Sequence, residues 1–97
     1  MGRIVIWSAP AQKDIKEITT YWNIRNKSNT YSHKLRSIIR DKLDIIKIFP
    51  FIGIQTDHQD ARCFIISDYK LFYVIKDETI IVLRLWDTRQ NPEKFKL

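Results

Sequence analysis

Four cations in the last third of the chain, Arg62, Lys70, Arg84 and Arg89, are of the types that hold phosphate. Both side chains stay charged at neutral pH, and a guanidinium can grip two phosphate oxygens at once. Interleaved with them are three groups able to move a proton, His58, Tyr73 and Asp87. Protonated lysine and arginine have no lone pair to accept a proton, so the set stabilises charge on phosphate more fully than it transfers protons. Each residue also has a plainer reading. Tyr73 lies among apolar neighbours and suits core packing with a satisfied hydroxyl. Arg84 and Asp87 suit an ion pair near a strand end, worth little if exposed. Lys70, beside a turn, suits a sheet edge, where lysine discourages aggregation.

The elements that must position these residues are legible from spacing. Arg62–Ile66, Tyr69–Lys76 and Ile80–Arg89 are β-branched and aromatic runs separated by Ser67-Asp68 and Asp77-Glu78, which predicts a three-stranded antiparallel meander. Tight turns there place Tyr73 and Arg84 on neighbouring strands, and a one-residue slip would reverse the face that each side chain takes. Ile4-Val5-Ile6-Trp7 reads as a first strand able to pair with the meander.

Ser8 and Pro10 then start a helix of about four turns, with Ala11, Ile15, Ile18 and Trp22 on its apolar stripe. After the turn Asn26–Asn29, capped by Asn29 or Thr30, a second helix carries Tyr31, Leu35, Ile38, Ile39, Leu43 and Ile46 and ends at Pro50. The short break between the helices predicts an antiparallel hairpin covering the sheet. Gly53 closes the apolar knot Phe49–Ile52 and implies positive φ or a close backbone approach. Ile54–Ala61 reads as an exposed polar loop, and Asn91–Leu97 as a turn and coil with Phe95 and Leu97 folding back. The whole is one α+β domain over residues 1–97, large enough for a single core.

A balance of 17 Lys and Arg against 11 Asp and Glu, net +6, favours a polyanionic partner, either nucleic acid or an acidic protein segment. A single cysteine excludes an intramolecular disulfide, and Cys63 reads as a buried, inert thiol. Neither a secretory leader nor a bilayer-length apolar run is visible, so a soluble cytoplasmic protein without membrane contact is expected. His33 and His58 lack metal-ligand spacing, and the two glycines make no phosphate loop, so neither metal nor cofactor is expected. Trp22 and Trp86 suit core or rim, while Trp86, beside Asp87 and Arg89, can also stack on a base or receive a partner's side chain.

Four strings, in this order and spacing, resemble the RelE/ParE superfamily of toxins from bacterial type II toxin–antitoxin (plasmid-stabilisation type) modules. They are Trp7–Ile15, Phe49–Gly53, Tyr69–Tyr73 and Trp86–Pro92, and together with the elements between them they cover most of the chain. The resemblance implies a compact α+β growth inhibitor neutralised by a cognate antitoxin that wraps its basic surface. RelE-like members cut messenger RNA on the ribosome without a metal; ParE-like members poison DNA gyrase. In the nuclease pattern, basic residues stand after the polar loop, at the start of the next strand and beyond the last strand, followed by a tail tyrosine. Arg62 approximately fills the first basic place and Arg89 fits the third, while Lys70 stands where an arginine is expected. Phe64 stands where a second cation belongs, and Phe95, without a hydroxyl, stands nearest the tyrosine. If the chain is a nuclease, Arg62, Lys70 and Arg89 are its catalytic set, with Tyr73, Arg84 and Asp87 as weaker members. Phe64 and Phe95 tilt the expectation toward the gyrase inhibitor. The ribonuclease is the alternative, and a non-toxic basic nucleic-acid-binding module a further one.

Overall fold

The computed structural model describes residues 3–58 and 60–90, and the expected tail segment 91–97, with Phe95, lies outside them. The elements are β1 (Ile4–Trp7), α1 (Ala9–Asn26), α2 (Thr30–Ile48), β2 (Ile54–Gln55), β3 (Arg62–Ile66), β4 (Tyr69–Lys76) and β5 (Thr79–Asp87). One five-stranded sheet runs β1-β5-β4-β3-β2, with β1 parallel to β5 and the rest antiparallel. The α+β architecture of strand, helical hairpin and meander is therefore the one observed. One part of the expected polar loop differs: Ile54 and Gln55 form a two-residue strand on Cys63 and Arg62.

Both hairpin turns are two residues long, and each opens on a non-glycine residue with positive φ, Ser67 at 54° and Asp77 at 55°. Between them β4 alternates. Tyr69, Leu71 and Tyr73 join Ala11, Ile15, Leu35, Ile39 and Ile46 in the core, which fixes the helix-covered face. On β5 the inward parity changes partway. Tyr73 pairs with Val82 but Phe72 with Arg84, so Leu83 is an extra, bulged residue. Without the bulge Arg84 would face Leu71 in the core; with it, Leu85 takes that place and is buried.

Ser8 caps α1 by accepting from the Ala11 amide at 3.2 Å, and Lys27, at φ 51°, ends it in a left-handed turn. At the start of α2, Asn29 occupies the cap position but its side chain makes no capping bond; Ser28 Oγ accepts from the Thr30 amide instead. Near the turn the helices are tied by Ser32 Oγ donating to Asn23 Oδ1 at 2.6 Å and by the edge-to-face rings of Trp22 and Tyr31. No described helix is long and apolar enough to cross a membrane.

Candidate functional site

β1 ends at Trp7, which leaves the outer edge of β5 beyond Val82 without a strand beside it among the described residues. The start of α1 takes over that edge. Ser8 donates its amide to Val82 O and its hydroxyl to Leu83 O, both at 2.9 Å. Nearly two helical turns later the Asp14 carboxylate accepts from the Leu85 amide at 2.9 Å and from Arg84 Nε and Nη2 at 2.7 and 3.0 Å. A helix side chain thus completes an open strand edge, satisfying backbone groups that would otherwise need water. The expected Arg84–Asp87 pair does not form. The bulge displaces Arg84 by one position, and the carboxylate of Asp14 holds its guanidinium in the charged form.

Where α1 and the end of β5 diverge, a cleft of about 420 Å³ opens, lined among others by Glu17, Tyr21, Trp22, Trp86, Asp87 and Arg89. Asp87 grips Arg89 with both oxygens, Oδ1 on Nε and Oδ2 on Nη2, each at 2.9 Å, and Oδ1 also accepts the Arg89 amide. These bonds hold the Asp87 carboxyl below, and the Arg89 guanidinium above, their ordinary ranges. The guanidinium lies over Trp22, 5.5 Å from its ring centroid, and 6.0 Å from that of Tyr69. Trp22 in turn donates its indole N–H to the Tyr69 oxygen at 2.9 Å. About half of the Arg89 side chain remains in solvent.

Four residues along β4, roughly 13 Å away, Tyr73 and Arg62 do different work. The Tyr73 hydroxyl donates to Pro50 O at 2.7 Å and accepts from the Gly53 amide at 3.0 Å, while Arg62 Nη1 donates to Phe51 O and Gly53 O at 3.1 and 2.8 Å. A Cβ on Gly53 would stand 2.7 Å from the Tyr73 oxygen, so the glycine is required by close approach; its φ is not positive. Burial pushes the Tyr73 phenol up, away from the range where a phenolate could act as a base.

The candidate cations are therefore dispersed. Arg62 braces the 49–53 loop, Arg84 binds Asp14, Arg89 binds Asp87 in the cleft, and Lys70 is exposed on the sheet face away from the helices, between Ile65 and Trp86. His58 stands in the exposed turn before β3. Sequence reasoning missed Asp14, which sits on the polar side of a helix and whose partners lie about seventy positions away. It also missed Arg36 and Arg40. One helical turn apart, these line a second groove of about 520 Å³ whose apolar walls are Trp7, Ile15, Ile39 and Leu43. Their i,i+4 spacing on one helix was the available signal.

Solved structures share this arrangement of hairpin and sheet. A chain of the chromosomal ParDE toxin–antitoxin system from P. aeruginosa superposes with a TM-score of 0.76 at 13% identity, covering 90% of this chain and 97% of that one. A chain of the toxin–antitoxin complex RelBE2 from Mycobacterium tuberculosis gives 0.64 at 16% identity, covering 90% and 99%. The fold is thus shared with these toxin–antitoxin chains. No curated protein matches the sequence. Residues 5–92 match the family model of the ParE toxin of the type II toxin–antitoxin system parDE, and the chain belongs to that family.

Proposed function

We propose that this toxin inhibits growth without hydrolysing RNA, by acting on DNA gyrase, and that a cognate antitoxin neutralises it. The observation that carries the reading is the dispersal of the cations a phosphate-cleaving site would need. Arg62 is taken up by two loop carbonyls and Arg84 by Asp14, while Arg89 and the exposed Lys70 stand away from the buried Tyr73 hydroxyl. The Tyr73 hydroxyl is buried between Pro50 and Gly53, donating to the carbonyl of one and accepting from the amide of the other. Metal-free attack by a 2′-hydroxyl needs a free cation beside an acid and a base, and this arrangement supports binding better than proton transfer.

The ribosome-dependent ribonuclease is the second reading, favoured by the α1–β5 cleft, where the Trp22 ring, the half-exposed Arg89 guanidinium and Asp87 offer a stacking surface and a cation together. Two assays on the purified chain separate the readings. Loss of supercoiling by gyrase, with the 5′ ends of a translated reporter message unchanged, is the expected result. New ends within codons that appear only with engaged ribosomes, and vanish with Arg89→Ala, would replace the proposal by the ribonuclease.

For the antitoxin, the net charge of +6 and the groove carrying Arg36 and Arg40 favour an acidic, amphipathic segment. We place part of that segment over Lys70 and Arg89, with Arg62 at its margin. Arg89→Glu is then expected to weaken antitoxin binding about tenfold or more at low salt. Affinity that stays the same at low and moderate salt would defeat that placement.

A further inference from the structure

The end of α2 and the chain that follows it carry six large apolar side chains in solvent: Ile45, Ile48, Phe49, Phe51, Ile52 and Ile54, with Ile48 and Phe51 each 68% exposed. Such exposure in a loose segment would mean little, but here the backbone is braced at nearly every step. Ile52 N donates to Phe49 O, Tyr73 and Arg62 between them hold the Pro50, Phe51 and Gly53 carbonyls and the Gly53 amide, and the Arg62 guanidinium lies 5.0 Å from the Phe51 ring centroid. A polar scaffold that holds apolar side chains outward has already met the ordering cost that an interface imposes.

The area and the charges indicate what covers it. At their fractional exposures the six side chains offer on the order of 700 Å², close to the roughly 800 Å² that each partner buries in a standard interface. A chain of net charge +6 repels its own copies over most of its surface. Along this stretch, however, the charges are of both signs, with Asp44 and Lys47 paired at 3.4 Å on the last turns of α2 and Asp57 and Asp60 after the patch. A second copy therefore meets no concentration of like charge here, and one patch can close on its twin about a two-fold axis as an isologous interface requires. Beyond β2, the outer edge of Phe64–Ile66 has no strand beside it among the described residues, and Ile65 is exposed there, so the sheet edge can extend the contact.

We propose that the free chain forms a homodimer through the Ile45–Ile54 surface. This is independent of the target and of the antitoxin groove. Sedimentation equilibrium of the purified full chain from about 1 to 100 µM should show a monomer–dimer equilibrium, and Phe49→Asp with Phe51→Asp should raise its dissociation constant by about thirtyfold or more with the near-ultraviolet circular dichroism unchanged. Should that double variant fail to fold, Ile48→Lys, on the helix rather than the loop, makes the same test. Phe51→Cys in a Cys63→Ser background should cross-link to a symmetric disulfide dimer on mild oxidation. A monomer at the highest concentration, or a dimer indifferent to all of these changes, overturns the proposal. So does a dimer that persists while added antitoxin shields Phe51→Cys from alkylation, because the patch would then belong to the antitoxin.

Discussion

The two ends of the Tyr69–Tyr73 stretch of β4 are built from the same kinds of residue and put them to opposite uses. At one end Tyr73, Arg62 and Phe51 meet; at the other, Tyr69, Arg89 and Trp22. The first tyrosine uses its hydroxyl to donate and to accept within the backbone of a loop, and its arginine caps two carbonyls of the same loop. The second tyrosine accepts from an indole N–H and, at 3.5 Å, from a guanidinium whose main partner is a carboxylate at the rim of an open cleft. Backbone carbonyls are fixed by the fold, whereas an arginine half in water can exchange its carboxylate for another anion. A cation held by carbonyls is therefore structural, and one held by a rim carboxylate stays available.

The largest effect expected from this contrast is at the closed end. Tyr73→Phe leaves the Gly53 amide and the Pro50 carbonyl buried without their partner and should cost about 2–4 kcal/mol in urea denaturation; a loss below about 1 kcal/mol would mean that the loop closes without the hydroxyl. Next is the edge that α1 completes. Asp14→Ala removes the carboxylate that the partly buried Arg84 and the Leu85 amide share and should cost about 2 kcal/mol, less than a fully buried pair because both side chains keep some solvent.

Smaller still, Arg89→Gln should change stability by less than about 1 kcal/mol while reducing growth inhibition on induction, whereas Arg62→Gln should lose stability first. Equal stability losses for the two would erase the distinction between the ends. The smallest effect depends on pH. Asp87 is held below its unfolded value of about 3.9. Its contribution is therefore complete above that value and disappears as pH falls through the lower folded value. Melting curves of the wild type and Asp87→Asn should differ at pH 7 and converge in the more acidic range.

How much of this was readable beforehand follows from the reach of each signal. Ser8, Pro10 and the helical stripes act within a few residues, and they appear where the spacing put them. The two-residue turns at Ser67 and Asp77 were equally local. The bulge at Leu83 was not readable, because Ile80–Leu85 is nearly continuous in apolar residues and carries no alternation from which a change of parity could be seen. β2 escaped because two residues paired through their backbones leave no pattern in side chains. Close approach at Gly53 was legible from the glycine; that Tyr73 makes the approach was not, since the two are twenty positions apart. The site shows the same limit. Arg89 beside Asp87 is written in adjacent residues, but the Trp22 ring beneath it arrives from another element.

The parallel pairing of β1 with β5 also bears on how the molecule comes into being. Ile4 finds its neighbour at Thr79, so the first strand stays unpaired during synthesis until the last has left the ribosome, and the slow step of folding should be this long-range closure. The helical hairpin and the β3–β4 turn, whose contacts are local, can form earlier. A nascent chain stalled before β5 would hold its helices without the edge that α1 completes, and so without the cleft that carries Arg89. For the toxin proposed above, activity would then begin only after β5 has been made.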